Sequence, residues 1–466
     1  MNANGVHTYE SRIRRTAVRL HPRARLAGTA LGCAVLSLAL TAAPAAAGGK
    51  QSVQPHWDRV GHAALAPRDG WGAATTGTTG GAAADAAHTS VVTSRAELVA
   101  ALGGKNSGNG SNATPKIIYV KGTIDLNTDD AGTALSCADY ATDGYNLADY
   151  LAAYNQQTWG TDRVPTGPLE DARKASQQKQ AAQVQIRVGS NTTLVGIDGK
   201  ARILGGGLLV KNVDNVIIRN LTFEDAADCF PAWDPTDDAT GNWNSEYDSL
   251  ALATATHVWV DHNTFTDGRN PDSAQPLHLG RPYQVHDGQL DITNGSDYVT
   301  ASWNVFKDHD KTNLVGSSNS STVDPGHLRV TFHHNKWDST IQRAPRVRFG
   351  QVDVYNNHYV VDNPGEYEYS WGVGKESQIV AEHNYFTLTR GAKAAQAIHN
   401  WGGTAITASG NLVNGVRTDI VGAFNAANPD LALGTDAGWT PTLRAQVTPT
   451  ALLPAVVGLL SGAGRL

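Results

Sequence analysis

The segment Asn263-Thr264-Phe265 opens a pattern that recurs along the chain: an asparagine, one further residue, and then a large apolar residue. The later copies are Asn304-Val305-Phe306, Asn335-Lys336-Trp337, Asn357-His358-Tyr359, Asn384-Tyr385-Phe386 and Asn411-Leu412-Val413. Successive asparagines are 41, 31, 22, 27 and 27 residues apart. An interval of 22 residues is close to one turn of a solenoid of short strands, and the longer intervals indicate turns that carry loop insertions.

Short apolar and β-branched segments surround these triplets from about residue 186 onward. Because side chains alternate along a strand, the large apolar residue of each triplet should point inward, while the asparagines stack at a turn. The pattern therefore predicts an all-β chain folded as a single-stranded parallel β-helix with loop insertions and a few short helices. We interpret the repeated residues as structural and expect function in the insertions.

Upstream of the repeats, residues 94–102 follow a capping serine and predict a short helix, and residues 117–120 predict a strand. Residues 126–184 interrupt the strands and contain two helical pieces, at about 148–154 and 169–183. A Gly-, Ala- and Thr-rich leader over residues 48–90 is expected to be partly ordered at best.

The N-terminus has the pattern of an export signal. A basic stretch precedes an apolar run over about residues 26–40, and Ala45-Ala46-Ala47 fits a cleavage site. The alternative is a membrane anchor, which the shortness of the run disfavours. We expect a signal peptide at 1–47, the leader at 48–90 and one β-helix domain at 91–466, in a secreted protein with no membrane attachment after cleavage.

Two cysteines, Cys137 and Cys229, remain after the signal segment. In an exported chain they could form one disulfide or stay as two separate buried thiols, and sequence does not give their distance.

The formal net charge of -6 argues against nucleic acid as a partner. An acidic chain can still bind a polyanion if its site concentrates positive charge or a metal ion. A monomer is the default expectation.

Three aspartates are candidate metal ligands: Asp248, Asp287 and Asp291. Carboxylates are the oxygen ligands that calcium or magnesium prefers. In a straight strand Asp287 and Asp291 would be about 13 Å apart, so a shared ion requires a bend, which Gly288 permits. The alternative is that these aspartates only accept backbone hydrogen bonds in turns.

A basic cluster follows downstream. Arg343, Arg346 and Arg348, together with Lys311, could form a platform for carboxylates, or could pair with nearby aspartates. His309 and the pair His333-His334 lack the ligand spacing of a zinc site. Asp261-His262 is interpreted as a structural hydrogen-bonded pair.

At these residues the chain resembles the bacterial pectate lyases of polysaccharide lyase family one. The resemblance runs from about residue 90 to 415, and the stretches that carry it are Trp233-Asp234-Pro235-Thr236-Asp237, Val258-Trp259-Val260-Asp261-His262, residues 283–292, Asp308-His309-Asp310-Lys311 and residues 342–350.

The resemblance implies a right-handed parallel β-helix that binds calcium through Asp248, Asp287 and Asp291. It also implies that Arg343 is catalytic and that Lys311 and Arg348 bind substrate; we add Arg346 as a substrate-binding residue. The implied reaction cleaves α-1,4-linked polygalacturonate by calcium-assisted β-elimination to 4,5-unsaturated oligogalacturonides.

The expected base, Arg343, would need its pKa lowered by calcium and by its basic neighbours, which predicts an alkaline activity optimum. The alternatives are a pectin lyase acting on methyl-esterified polymer, a polygalacturonase, which requires paired carboxylates, and a non-catalytic polysaccharide-binding β-helix. The Leu- and Val-rich tail at residues 451–460 is expected to pack against the β-helix.

Overall fold

The computed structural model describes residues 53–142, 144–237, 239–363 and 365–466. The predicted signal peptide at 1–47 lies outside the described residues. In the described part, three stacks of parallel strands wind as a parallel β-helix, and each turn contributes one strand to each stack. The first two stacks share two long strands and form one 18-stranded sheet, whereas the third stack is a separate 8-stranded sheet.

The first stack contains the strands Thr89–Val92, Lys116–Asp125, Thr192–Leu204, Asp214–Arg219, Thr256–Asp261, Asp297–Ser302, Val330–His333, Gln351–Tyr355, Gln378–Glu382 and Ile406–Ser409. The second stack contains the parallel strands Thr222–Glu224, Thr264–Thr266, Val305–Lys307, Lys336–Asp338, His358–Val361, Tyr385–Leu388 and Leu412–Val413. Its last strand, Val416–Arg417, pairs antiparallel with Leu412–Val413. The third stack contains the strands Gln185–Val188, Gly207–Lys211, Leu250–Ala253, Leu290–Thr293, Leu314–Val315, Arg346–Val347, Trp371–Gly374 and Ile398–Trp401.

The repeated asparagines stack at the corner between the first and second stacks, as predicted. Each side chain accepts from the backbone N–H of the residue one turn earlier: Asn304 Oδ1 accepts from Asn263 N at 2.9 Å, and Asn335 Oδ1 accepts from Asn304 N at 2.9 Å. Each Nδ2 also donates to a backbone carbonyl, as Asn335 does to Ala301 at 2.9 Å. The asparagine side chains therefore provide hydrogen-bond partners for backbone N–H and C=O groups that are buried away from water at this corner.

The large apolar residues of the triplets form a stack inside the β-helix. Phe265 and Phe306 lie 5.0 Å apart, Phe306 and Trp337 5.4 Å, and Trp337 and Tyr359 4.8 Å, with nearly parallel ring planes. Trp337 is 1% exposed, and its Nε1 donates to Asn313 Oδ1 at 2.8 Å. The prediction that these residues point inward is confirmed.

Helices lie outside the strand stacks. The α-helices are Pro55–Gly61, Arg95–Leu102, Asn106–Asn109, Cys137–Tyr140, Leu147–Ala153, Pro168–Val184, Ile420–Ala427 and Leu453–Leu460. Short 3-10 turns occur at Trp71–Ala73, Asp272–Ala274, Ala394–Ala397, Pro429–Leu431 and Thr450–Leu452. The predicted helices near 94–102, 148–154 and 169–183 are confirmed, and Ser94 caps the first by accepting from Glu97 N.

The interruption between the strands is tied to the β-helix by a disulfide between Cys137 and Cys229. Two antiparallel hairpins lie nearby, formed by Ala232–Asp234 with Asn242–Asn244 and by Leu277–His278 with Arg281–Pro282. Among the described helices, none has the length and apolar character needed to cross a membrane.

From residue 53 onward the leader is ordered, which differs from the expectation that it is partly ordered at best. It runs along an outward row of first-stack side chains, where Gly81 N, Gly72 N and Trp71 N donate to the hydroxyls of Thr193, Thr300 and Thr331 at 2.8, 2.9 and 3.0 Å. Its small residues allow the backbone to lie close to the sheet, and the row of hydroxyls supplies acceptors, so the segment is fixed despite its loop-like composition.

The C-terminal tail packs against the β-helix, as expected. Leu453 and Val457 are fully buried, and Gly462 N donates to Trp303 O at 2.7 Å at the corner between the first two stacks. Arg444 of the tail binds two carboxylates of the first stack. Its Nε donates to Asp353 Oδ2 at 2.9 Å, and its Nη1 donates to Glu382 Oε2 at 2.7 Å.

Candidate active site

The predicted site residues gather on four consecutive turns of the third stack. Asp248 precedes the strand Leu250–Ala253, Asp287 and Asp291 lie before and within Leu290–Thr293, and Lys311 precedes Leu314–Val315. The arginines lie at or beside the next strand, Arg346–Val347. Because neighbouring strands are about 4.8 Å apart, four turns place all of these residues within about 15 Å along the stack.

Two of the three predicted acidic ligands converge at Gly288. Asp248 Oδ1 accepts from Gly288 N at 2.9 Å, and Asp291 Oδ1 accepts from Leu314 N at 3.0 Å. A Cβ added to Gly288 would lie 2.3 Å from Asp291 Oδ1 and 2.8 Å from Asp248 Oδ1. Gly288 is thus needed for space, and the chain bends directly after it, at Gln289, between Asp287 and Asp291.

The converging carboxyl groups repel one another when they are charged, and Arg343 offsets this repulsion only in part. Burial raises the pKa of Asp248 well above its usual range, and the neighbouring carboxylates of Asp291 and Asp287 raise it further. Burial and Asp287 likewise raise the pKa of Asp291 to about 7. Carboxylates in this situation are stabilised by a cation, so their chemistry fits a hard divalent ion such as calcium.

The third predicted ligand lies beside the other two. Asp287 is 30% exposed, and its Oδ1 is 3.9 Å from Lys311 Nζ. Within the described ranges, no three His, Cys, Asp or Glu side chains are grouped closely enough to hold a metal ion as they stand. Asp287 would therefore have to turn from Lys311 toward Gly288 to complete the set.

His309 holds the backbone of Asp287. Its Nε2 donates to Asp287 O at 2.6 Å, and its Nδ1 lies 2.8 Å from Asp267 Oδ1. Although burial would lower the pKa of His309, the Asp267 carboxylate raises it overall, which favours a ring with both nitrogens protonated. The sequence indicates only that His309 lacks the ligand spacing of a zinc site. Its hydrogen bond to the backbone of Asp287, beside Gly288, is not evident from residue spacing.

The basic residues lie one and two turns beyond the aspartates. Lys311 pairs with Gln342 across a parallel bridge, and Asn313 N donates to the Arg343 carbonyl at 2.7 Å, which fixes Arg343 against the preceding turn. Val347 is fully buried between Arg346 and Arg348, so the two arginines share the outer face. Arg348 donates from Nε to Asn319 Oδ1 at 2.9 Å and from Nη1 to Gly316 O at 2.8 Å.

The acidic neighbours of Arg343 oppose the expected lowering of its pKa, which depends on calcium bound at those same carboxylates. Burial alone would lower it, but the carboxylates of Asp287 and Asp291 raise the pKa above its usual value. By contrast, burial and the charge of Arg348 lower the pKa of Arg346 to about 10. The acidic neighbours of Arg343 come from a preceding turn of the β-helix, so sequence spacing does not reveal them.

A cavity of about 480 Å³ joins several of these residues, and Lys311, Arg343 and Arg346 line it. One wall comes from the two hairpins, which contribute Asn242 and Arg281, and the other includes Trp401. Sequence reasoning missed Trp401, although it follows Arg348 in the outward row two turns later. The cavity is large enough for sugar units, and four cationic side chains line it: Arg281, Lys311, Arg343 and Arg346.

The remaining motifs are structural. Asp261 accepts from Arg219 Nε at 2.9 Å, from His262 Nδ1 at 2.8 Å and from Ser302 Oγ at 2.7 Å. Burial would raise the pKa of Asp261, but His262 and Arg219 outweigh burial and lower it to about 2. His333 and His334 contact each other through Nδ1 at 2.9 Å beneath the tail, away from the cavity.

Comparison with known proteins gives a consistent result. The family model described as pectate lyase matches residues 166–429. A pectate lyase of Bacillus subtilis (strain 168) is 46% identical over 411 residues, covering 87% of this chain and 94% of that protein. Pectate lyase E of Dickeya chrysanthemi is 36% identical over 363 residues, covering 76% and 77%.

Solved structures agree. The structure of a thermostable pectate lyase superposes with a TM-score of 0.85 at 48% identity, covering 87% of this chain and 99% of that chain. A pectate lyase bound to a hexasaccharide superposes with a TM-score of 0.82 at 45% identity, with the same coverage.

Proposed function

Because this chain belongs to the pectate lyase family and is a polysaccharide lyase, we propose that it cleaves α-1,4-linked polygalacturonate by calcium-assisted β-elimination and releases 4,5-unsaturated oligogalacturonides. The observation that supports this most is the order of charges along the third stack. Converging carboxylates at Asp248 and Asp291 are followed within two turns by Lys311 and Arg343. A bound acidic sugar could therefore contact the metal site and the cationic side chains at the same time.

The acidic residues are proposed as calcium ligands. Asp248 and Asp291 would hold the ion at the space beside Gly288, and Asp287 would complete the set. Bound calcium would supply positive charge that stabilises the substrate carboxylate during elimination and offsets the acidic residues that raise the pKa of Arg343.

The basic residues are proposed to bind and deprotonate the substrate. Lys311 and Arg348 form charge-assisted hydrogen bonds to the C6 carboxylate, which orients the sugar. Arg348 is already fixed by Asn319 and Gly316, so little ordering is required when substrate binds. Arg346 binds a carboxylate of the same polymer.

Arg343 is proposed as the general base. It removes the proton at C5, and the electron pair of the broken C5–H bond forms the C4–C5 double bond. The bond between C4 and the glycosidic oxygen breaks, and that oxygen takes a proton from solvent. Since an arginine base must be neutral, activity should rise on the alkaline side of neutral.

The test is the ultraviolet absorbance of unsaturated products released from polygalacturonate at high pH, with calcium and then with a chelator. Product formation that the chelator abolishes is the expected result. Formation that survives chelation, with preference for esterified polymer, would favour a pectin lyase. Binding without any product would favour a non-catalytic β-helix.

We also propose that residues 1–47 direct secretion and are then removed. The N-terminal residue of protein collected from the culture medium tests this proposal, since cleavage after Ala47 leaves Gly48 first. Retention of the apolar run in a membrane fraction would contradict it.

A further inference from the structure

Arg346 and Trp401 lie on turns of the third stack that are not adjacent. Arg346 pairs with Gly372 of the following strand, and Gly374 of that strand pairs with Trp401 of the next. Trp401 therefore lies two strand spacings, about 9.6 Å, across the sheet from Arg346 and two residues, about 6.6 Å, farther along the strand, so about 12 Å separates the two backbones. A long side chain can cross this distance only if the intervening turn leaves room.

Glycine supplies that room. A Cβ on Gly372 would lie 3.0 Å from both Cβ and Cγ of Arg346 and 2.9 Å from Cε2 of Tyr369. Because the position has no side chain, the stem of Arg346 can lie along the outer surface of the sheet toward Trp401.

The guanidinium of Arg346 lies over the indole of Trp401, with Cζ 4.0 Å from the ring centroid. The ring of His399 lies 4.3 Å from the same indole and supports it. Arg346 Nε is buried and has no hydrogen-bond partner in the described structure. The flat face of the guanidinium is thus held by the stack, and a side-chain hydrogen bond joins Arg346 to Tyr369. Because stacking uses only the flat face, N–H groups can still donate to a ligand in the plane of the guanidinium.

Both residues line the cavity that contains Arg343, and Trp401 is 36% exposed. We propose that Trp401 is a positioning residue that holds Arg346 for the carboxylate of a galacturonate unit neighbouring the one that is cleaved. This inference rests on the proposed function, and it assigns a role in polymer recognition to a residue that contributes nothing to proton transfer.

The test is a double-mutant cycle with Trp401→Ala, Arg346→Ala and the double variant, using polygalacturonate at saturating calcium. A lost cation–aromatic contact should raise KM about three- to tenfold for Trp401→Ala, with kcat changed less than about twofold. Trp401→Phe should retain most of the affinity. The double variant should be no worse than Arg346→Ala alone, because the two residues act as one unit.

A matched control is Trp159→Ala. The guanidinium of Arg163 lies over the Trp159 ring, with Cζ 4.2 Å from the ring centroid, but Trp159 does not line the cavity. Its KM should equal that of the parent. An unchanged KM for Trp401→Ala, or additive effects in the cycle, would overturn the proposal. If Trp401→Ala does not fold, Trp401→Leu takes its place in the cycle.

A binding measurement tests the Arg346–Trp401 pair independently of whether the protein is an active lyase. Calorimetric binding of hexagalacturonate with calcium chelated reports on the pair even if no unsaturated product forms. Weaker binding in both single variants, with no further loss in the double variant, supports the Arg346–Trp401 pair whatever the reaction. Equal binding by parent and variants would refute it, even in an active lyase.

Discussion

Replacement of Trp337 by phenylalanine should affect both stability and catalysis. The indole lies between Phe306 and Tyr359, and its Nε1 donates to Asn313 Oδ1 at 2.8 Å. Asn313 in turn donates its backbone N–H to the Arg343 carbonyl at 2.7 Å. Trp337→Phe keeps an aromatic ring in the stack but leaves the fully buried Asn313 oxygen without its donor.

The expected magnitude follows from two contributions. An unpaired buried acceptor costs about 1–3 kcal/mol, and the smaller ring leaves a void worth about 1 kcal/mol. The free energy of unfolding should therefore fall by about 2–4 kcal/mol. Because Asn313 also positions Arg343, kcat should fall about tenfold. Urea unfolding and initial rates of unsaturated product formation measure the two effects.

Tyr359→Phe is the matched control, one turn away in the same stack. It removes the hydroxyl that accepts from Trp371 Nε1 at 2.9 Å, so it also leaves a buried polar group unpaired. It should cost about 1–3 kcal/mol and leave kcat within about twofold of the parent. Equal kcat losses in the two variants, or a Trp337→Phe protein as stable as the parent, would refute the reasoning.

Three further predictions concern charged groups. The pKa of Asp261, lowered to about 2, means that this carboxylate stabilises the fold by about 2 kcal/mol above pH ~4 and loses that contribution as the pH falls toward 2. The stability gap between parent and Asp261→Asn in urea should accordingly narrow over that range, and a constant gap would contradict the assignment. Asp291→Asn should raise the calcium concentration for half-maximal activity at least about tenfold, whereas the exposed Asp308→Asn should leave it unchanged. Arg343→Lys should lower kcat by about a hundredfold or more with stability within about 1 kcal/mol; retention of kcat would exclude Arg343 as the base.

The architecture was predictable because one physical requirement recurs on every turn. Asn263 and its counterparts must satisfy the backbone at the corner, and Phe265 and its counterparts must fill the interior, so the same residue types return at each turn. The leader was not predictable in this way. Its order depends on the hydroxyls of Thr193, Thr300 and Thr331, which lie 112 to 260 residues later in the chain.

The position of the candidate site in the fold was more predictable than its electrostatics. Resemblance proposes the aspartates, Lys311, Arg343 and Arg348 as site residues, and the structure places them on neighbouring turns. The upward shift of the Arg343 pKa depends on its distance from Asp287 and Asp291, which spacing does not give. Trp401 was missed because its partner, Arg346, is two turns away and the contact depends on Gly372 between them.

The leader and the first part of the tail lie on the first stack, where Gly70 N donates to Leu443 O at 2.8 Å and Arg444 reaches Asp353 and Glu382. The last residues lie at the corner with the second stack, where Gly464 N donates to Asn220 Oδ1 at 2.6 Å. The cavity opens on the third stack instead. A linker attached at Leu466 would thus hold the protein on a side away from the third stack, and the cavity would face the solvent. A long polymer, too large to enter a crowded gap against a solid support, would still reach an immobilised protein held in this orientation.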